Sequence, residues 1–154
     1  MTTDLHFPAR ADAPIACDMS TATDTPDQRL AEYSALFERA LVRRERPEHA
    51  VVFVFRATPD AREQVEDLAR REAACCPFLD YRVETNADEV IYTVTNPDTG
   101  MERADAEVTL DAFYALPDHA GSDYAGLLER LADGGVHVIE AGDSRWELRE
   151  SAAG

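Results

Sequence analysis

The stretch that decides the fold is residues 50–77, which read AVVFVFRATPDAREQVEDLARREAACCP. It opens with a continuous apolar run of β-branched and aromatic residues, a pattern typical of a strand that is covered on both faces. Thr58 then begins an amphipathic helix, and Pro77 ends it because proline has no amide hydrogen to continue the hydrogen-bond ladder. We therefore predict a strand over residues 50–55 followed by a helix over residues 59–76.

The segments on either side of this stretch complete the prediction. Upstream, Thr25 and Gln28 have the spacing of a capping box, which begins a helix expected over residues 26–45. Downstream, alternating apolar residues predict two paired strands, within residues 81–85 and 90–95. The order helix, strand, helix, strand, strand predicts an α+β fold with the helices packed on one face of a mostly antiparallel sheet.

Three segments describe the predicted organisation of the chain. Residues 1–24 show no apolar period and are expected to form an extended acidic arm, although residues 14–17 are apolar enough to pair as an edge segment. Residues 25–99 form the α+β core, and residues 100–154 form a C-terminal extension that we expect to belong to the same compact unit. The extension is predicted to contain a short strand at 108–110, a helix over 123–133 and a hairpin within 136–148.

The charge of the chain is strongly negative. It has 31 acidic and 15 basic residues for a net charge of −16, and all 15 basic residues are arginine. An acidic, lysine-free surface favours a halophilic protein, in which salt screens self-repulsion. A GC-rich genome, which prefers arginine codons, is the alternative. This charge argues against nucleic acid and against anionic membrane surfaces as partners.

Further features of the composition indicate the compartment. The sequence has no run of 18 apolar residues and no basic-then-apolar leader, so we expect neither a spanning helix nor a secretory signal. Three cysteines make a poor disulfide framework because one must remain unpaired. The sequence therefore predicts a cytoplasmic protein with reduced thiols.

The cysteines are the residues best suited to carry chemistry. Cys75 and Cys76 are adjacent at the end of the predicted helix, Cys17 lies in an apolar patch near the N-terminus, and Glu72 is one turn before the pair on the same side. Neighbouring side chains on a helix diverge by about 100°, but a helix end ahead of a proline can adapt. Because thiolates select soft ions, the candidate ligands are Hg(II), a trigonal arsenite-type centre completed by Cys17, and zinc.

Other interpretations of the cysteines stay open. A histidine is a fourth ligand for a three-thiolate zinc site, but no spacing singles out one of His6, His49, His119 and His137. Adjacent cysteines also form a strained vicinal disulfide, which would be a labile redox bond. In the third interpretation, the cysteines are small buried hydrophobes without chemistry.

Glu72 needs an explanation because an unpaired carboxylate on an apolar stripe is costly to bury. Three alternative interpretations are open. Glu72 lies where the stripe meets solvent, or it pairs with an arginine such as Arg71, or it serves as an acid beside the thiols. In the enzymatic version, Cys75 or Cys76 takes a metal from a carbon–metal bond and Glu72 or Asp18 delivers the proton. This resembles the two-cysteine, one-carboxylate chemistry of organomercurial lyases, whose surrounding sequence is different.

Two blocks resemble a known group of proteins. The phrase Ile15-Ala16-Cys17 and the block REAACCPFL at residues 71–79 are similar to small uncharacterised prokaryotic proteins. These have a cysteine near the N-terminus and a Glu-x-x-Cys-Cys-x-Phe block before a strand. The resemblance covers roughly residues 14–95 and implies a heavy-metal or thiol association. It implies no established activity and does not extend to residues 100–154.

The leading hypothesis is a thiolate protein that binds a soft metal or metalloid ion (Hg, As or Zn) through Cys75, Cys76 and Cys17. One alternative is a non-catalytic interaction or ligand-sensing module with structural cysteines and a homodimer or partner surface. Another is a thiol redox or lyase-like enzyme, with Glu72 and Asp18 as catalytic candidates. The expected ligand is an ion or small molecule, and no organic cofactor is indicated.

Overall fold

The computed structural model describes residues 3–10, 16–18, 22–97, 104–118, 129 and 137–139. In chain order they form β1 (Thr3–Phe7), β2 (Ala16–Asp18), α1 (Pro26–Ala40), β3 (Leu41–Glu45), β4 (Ala50–Arg56), α2 (Pro59–Cys75), β5 (Asp80–Thr85), β6 (Glu89–Thr95), α3 (Ala104–Ala115), a 3₁₀ turn (Leu116–Asp118) and β7 (His137–Ile139). Among these residues, no helix is long and apolar enough to cross a membrane.

Five strands form the main sheet in the order β1-β5-β6-β4-β3, and each neighbouring pair is antiparallel. Burial alternates along the central strand β6, where Val90, Tyr92 and Val94 are buried and the residues between them are partly exposed. One face of the sheet therefore faces the core, and the helices pack on it. The predicted α+β fold with a mostly antiparallel sheet is confirmed.

An aromatic cluster joins α1 to this face of the sheet. The ring of Phe37 lies 5.1 Å from that of Phe53 and 6.0 Å from that of Phe55, measured between centroids. Tyr33 stacks on Phe37 and makes an edge contact with Phe113 of α3. Such pairs add about 0.5–1.5 kcal/mol each beyond the burial of their area, so α1, α3 and the sheet share one core.

The local signals read from the sequence are present at the start of both long helices. Thr25 and Gln28 form the predicted capping box, with hydrogen bonds of 3.2 and 2.9 Å. Thr58 caps α2 by accepting from the amide of Ala61. These bonds satisfy amides that the first helical turn otherwise leaves without partners.

The helix predicted over residues 26–45 is too long. It ends at Ala40, and Leu41 has extended backbone angles (φ −66°, ψ 126°). The next residues form the edge strand β3, which pairs antiparallel with β4. The apolar stripe of α1 continues to Leu41, so the helical period in the sequence does not show where the helix ends. Pairing with β4 decides the extended conformation of residues 41–45 instead.

The strand predicted at residues 108–110 is also wrong. Those residues lie inside α3, where Ala106, Leu110 and Phe113 are buried at helical spacing. Val108 and Leu110 alternate with polar residues as in a strand, but in the helix Leu110 is buried with Ala106 and Phe113, whereas Val108 is only partly buried.

The ends of the chain were predicted incompletely. β1 pairs with β5 at the sheet edge, and its residues Leu5 and Phe7 pack against the core. The strand within residues 136–148 is present as β7, but it pairs in parallel with β2. Its predicted hairpin partner lies outside the described residues, as does the helix predicted over 123–133 apart from Glu129, which is helical.

Candidate metal centre

The C-terminal end of α2 brings Glu72, Cys75 and Cys76 together. Residues three and four apart share one side of a helix, which places Cys75 above Glu72. The helix ends at Cys75, and Cys76 leaves the helical conformation (φ −124°, ψ 65°) while its amide still donates to the carbonyl of Glu72 at 2.7 Å. The two sulfurs therefore do not diverge as on a regular helix, and they lie 3.6 Å apart.

The Glu72 carboxylate completes the group. Its Oε2 is 3.8 Å from Cys75 Sγ and 3.9 Å from Cys76 Sγ. Each of the three residues offers a ligand atom within 4.8 Å of the others, and all three are buried, with 6%, 3% and 2% of their surface exposed. In the described part of the chain, this is the group of cysteine, histidine and acidic residues that is suited to hold a metal ion.

The two cysteines differ in redox state. Cys75 is a free thiol, whereas Cys76 is disulfide-bonded. The expectation of reduced thiols is therefore wrong for Cys76. An odd number of cysteines argues against a disulfide framework, but it leaves room for a single pair when the fold brings two sulfurs together.

Arg29 of α1 is the buried cation of the site, and the sequence reading missed it. Its Nη1 donates to Cys75 Sγ at 3.0 Å and to Glu72 Oε1 at 3.3 Å. Its Nε and Nη2 donate to the two carboxylate oxygens of Asp24 at 2.9 and 2.8 Å. A signal was available, because Arg29 stands four residues before Tyr33 on the apolar stripe of α1.

Burial dominates the ionisation of these groups. It raises the pKa of the Glu72 carboxyl, and the attraction of Arg29 offsets this only in part. Burial and the nearby Glu72 raise the pKa of the Cys75 thiol well above its usual range. In contrast, the hydrogen bond from Arg29 lowers the pKa of Asp24. Cys75 is therefore a protonated thiol at neutral pH, and a strong ligand must displace its proton.

Tyrosine hydroxyls surround the group on the sheet side. Tyr33 donates to Glu72 Oε1 at 3.4 Å and shares a 3.3 Å hydrogen bond with the hydroxyl of Tyr92. Tyr81 donates to the carbonyl of Cys76 at 2.9 Å and so fixes the residue that follows the helix. Burial raises the pKa of all three phenols far above their usual value, so they stay neutral donors.

Arg71 does not pair with Glu72, which was one of the alternatives for that carboxylate. It instead forms ion pairs with Asp24, Glu32 and Asp67. Glu72 pairs with Arg29. Asp24 thus connects the two arginines and ties the start of α1 to the last two turns of α2.

The remaining sequence candidates have different outcomes. Cys17 and Asp18 lie in β2, where their backbones pair with Val138 and Ile139, and their side chains lie outside the described part of the structure. His6 contacts Asp80 and His49 contacts Glu107, and neither histidine belongs to the group formed by Glu72, Cys75 and Cys76. His119 lies outside the described residues, and only the backbone of His137 is described, in β7.

Comparison with known proteins gives no significant match to a family model, a curated protein or a solved structure.

Proposed function

We propose that this protein binds a soft metal or metalloid ion through the reduced thiolates of Cys75 and Cys76, with Cys17 as the third sulfur ligand. The observation that carries the proposal is the 3.6 Å separation of two buried sulfurs beside a carboxylate. Ions such as Hg(II), As(III) and Zn(II) bind thiolates, and the burial of the site limits competition from water.

The disulfide of Cys76 supports the inclusion of Cys17. Cys75 is free, and Cys17 is the one other cysteine in the sequence. We therefore infer that Cys17 is the partner of Cys76 in the oxidised protein. A cysteine that reaches bonding distance of Cys76 is also close enough to share an ion with it after reduction. Because a disulfide sulfur is no longer a thiolate, the oxidised protein should not bind the ion.

Titration of reduced protein with Zn(II), Hg(II) and arsenite, followed by alkylation and mass measurement of the unprotected thiols, tests the proposal. We expect one ion per chain to protect Cys75 and Cys76 together, and protection to weaken as pH falls because protons compete for the sulfurs. The oxidised protein is the matched control. If all thiols react freely at an excess of each ion, the proposal fails.

Thiol redox chemistry is the second candidate, because a free thiol lies next to a disulfide sulfur. Attack of the Cys75 thiolate on Cys76 Sγ would form a bond between these two sulfurs and release the former partner of Cys76 as a thiol. Peptide mapping of the oxidised wild type and of Cys75→Ser distinguishes the two functions. A mixture of disulfide pairings that depends on Cys75 would support redox exchange, whereas a single pairing would oppose it.

A further inference from the structure

We propose that the ligand of this site is a neutral trivalent metalloid hydroxide, with arsenous acid as the simplest member, rather than a divalent cation. The inference rests on the proposed function and narrows its ligand class. It is carried by two observations, the distance between the sulfurs and the buried guanidinium beside them.

The distance between the sulfurs favours a bent centre. With metal–sulfur bonds of about 2.3 Å, a linear two-coordinate ion needs sulfurs about 4.6 Å apart. The observed gap is 3.6 Å, which corresponds to an angle at the ion of about 100° for the same bond length. A pyramidal trivalent metalloid has such an angle, whereas linear Hg(II) would require the sulfurs to separate.

The backbone opposes that separation. Two hydrogen bonds hold the backbone of Cys76. Its amide donates to the carbonyl of Glu72, and its carbonyl accepts from the hydroxyl of Tyr81. Cys75 is the last residue of α2 and is fixed by the helix. Both side chains are buried in the close-packed core, where a displacement of about 1 Å forces neighbouring side chains to move.

The Arg29–Glu72 pair leaves zinc without a fourth ligand. Zn(II) is almost always four-coordinate in structural sites, and three thiolates fill only three positions. The nearby carboxylate of Glu72 is paired with Arg29, whose side chain is 5% exposed. Its use as a ligand would therefore break a buried ion pair, which is costly. A trivalent metalloid is complete with three sulfurs and leaves this pair intact.

The exchange starts from the reduced protein, in which a thiol reductant has opened the disulfide of Cys76, and it then needs neither an oxidant nor a further reductant. For each thiol, the S–H bond and one As–OH bond break, while an S–As bond forms and the proton leaves with the hydroxide as water. Cys75 and Cys76 replace two hydroxides in this way, and Cys17 replaces the third. Arsenic stays trivalent, and the product is a neutral tris-thiolate that adds no charge next to Arg29.

Competition between arsenite and Zn(II) on the reduced full-length chain tests the inference. Protection of Cys75 and Cys76 from alkylation gives the affinity for each ion. We expect arsenite to bind at least tenfold more tightly than Zn(II), and Cys75→Ser and Cys76→Ser each to weaken arsenite binding at least a hundredfold. Tighter binding of Zn(II) would overturn the metalloid assignment but leave the proposed function standing, whereas protection by neither ion would end both.

A pair of arginine variants tests the role of the Arg29–Glu72 pair. Arg29→Met should shift the ratio of arsenite to Zn(II) affinity about tenfold towards Zn(II), because Glu72 loses its partner and becomes available as the fourth ligand of zinc. Arg39→Met on the exposed side of the same helix should leave the ratio unchanged. An equal ratio in both variants would contradict the role of Arg29. If Arg29→Met does not fold, the wild-type competition still decides the ligand class.

Discussion

Arg29 is the residue on which the electrostatics of the site depend. It is buried between two carboxylates and a thiol, and Glu72 and Asp24 are themselves mostly buried. A buried ion pair is weak evidence for stability, because its attraction is offset by lost hydration. Removal of one partner is nevertheless strongly destabilising, since it leaves an uncompensated charge in the interior.

Arg29→Ala should therefore lower the free energy of unfolding by about 3–5 kcal/mol. Urea denaturation at neutral pH measures the change. Arg39→Ala is the matched control, because Arg39 lies on the same helix and its exposed side chain donates to Gln64. It should cost within about 0.5 kcal/mol. Equal losses in the two variants would show that the buried network does not stabilise the fold.

At the residue scale, the sequence predicted the local part of the site and missed the distant part. Glu72, Cys75 and Cys76 lie within five residues, so helix spacing alone placed them together. Arg29 is 43 residues from Glu72. Its position on the apolar stripe of α1 indicated that it is buried, but nothing local indicated which carboxylate it pairs with. The disulfide of Cys76 was missed for the same reason, because pairing depends on where the rest of the chain brings a second sulfur.

At the element scale, the elements with strong local signals were predicted well. Both long helices start at threonine caps followed by proline, and α2 ends one residue before the position predicted from Pro77. β3 and α3 were misassigned because their local patterns were ambiguous and their partners were distant in sequence. β3 is decided by pairing with β4, and α3 by burial of Leu110 against the core.

α3 is attached to the sheet through Glu107. This carboxylate accepts hydrogen bonds from Arg46 and Asn96 and contacts the ring of His49, whose backbone is left-handed at φ 62°. Burial alone would raise the pKa of Glu107, but the hydrogen bonds from Asn96, His49 and Arg46 outweigh it and lower the pKa. The ionised carboxylate therefore joins α3 to the β3–β4 turn and to the end of β6.

Glu107→Gln should make the stability of the protein less dependent on acid pH. A carboxyl with a lowered folded-state pKa stabilises the fold fully above its unfolded pKa of 4.5 and loses that contribution as pH falls through the folded value. Thermal unfolding of the variant and the wild type across pH measures the difference in their free energies of unfolding. The variant should be less stable by on the order of 1–2 kcal/mol at neutral pH, and this difference should shrink towards strongly acidic pH. A difference that is the same at every pH would contradict this account.

At the scale of the whole molecule, acidic residues outnumber arginines by 31 to 15. Even if each arginine neutralises one acidic group, 16 negative charges remain uncompensated. The Debye length falls from about 10 Å at 0.1 M salt to about 3 Å at 1 M, so molar salt screens repulsion among these surface charges. Buried pairs such as Arg29 with Asp24 are screened much less.

We therefore expect the melting temperature to rise clearly between low salt and molar potassium chloride. Scanning calorimetry across that range measures it, and the reversibility of unfolding is the control. A falling or constant melting temperature would mean that local ion pairs outweigh the net repulsion, and it would remove the argument for a halophilic protein. Metal titrations should be run at high salt, where we expect fewer chains to be unfolded and to bind ions through exposed thiols.

X-ray absorption at the arsenic edge, on reduced protein loaded with one equivalent of arsenite, tests the central claim most directly because it counts the atoms bonded to the ion. The account predicts three sulfur neighbours at about 2.3 Å and no remaining oxygen neighbour. It also predicts that Cys75→Ser and Cys76→Ser each lose sulfur from this shell. A spectrum with only oxygen neighbours, or one that is unchanged in both variants, would contradict the assignment of this site as a soft-ion centre.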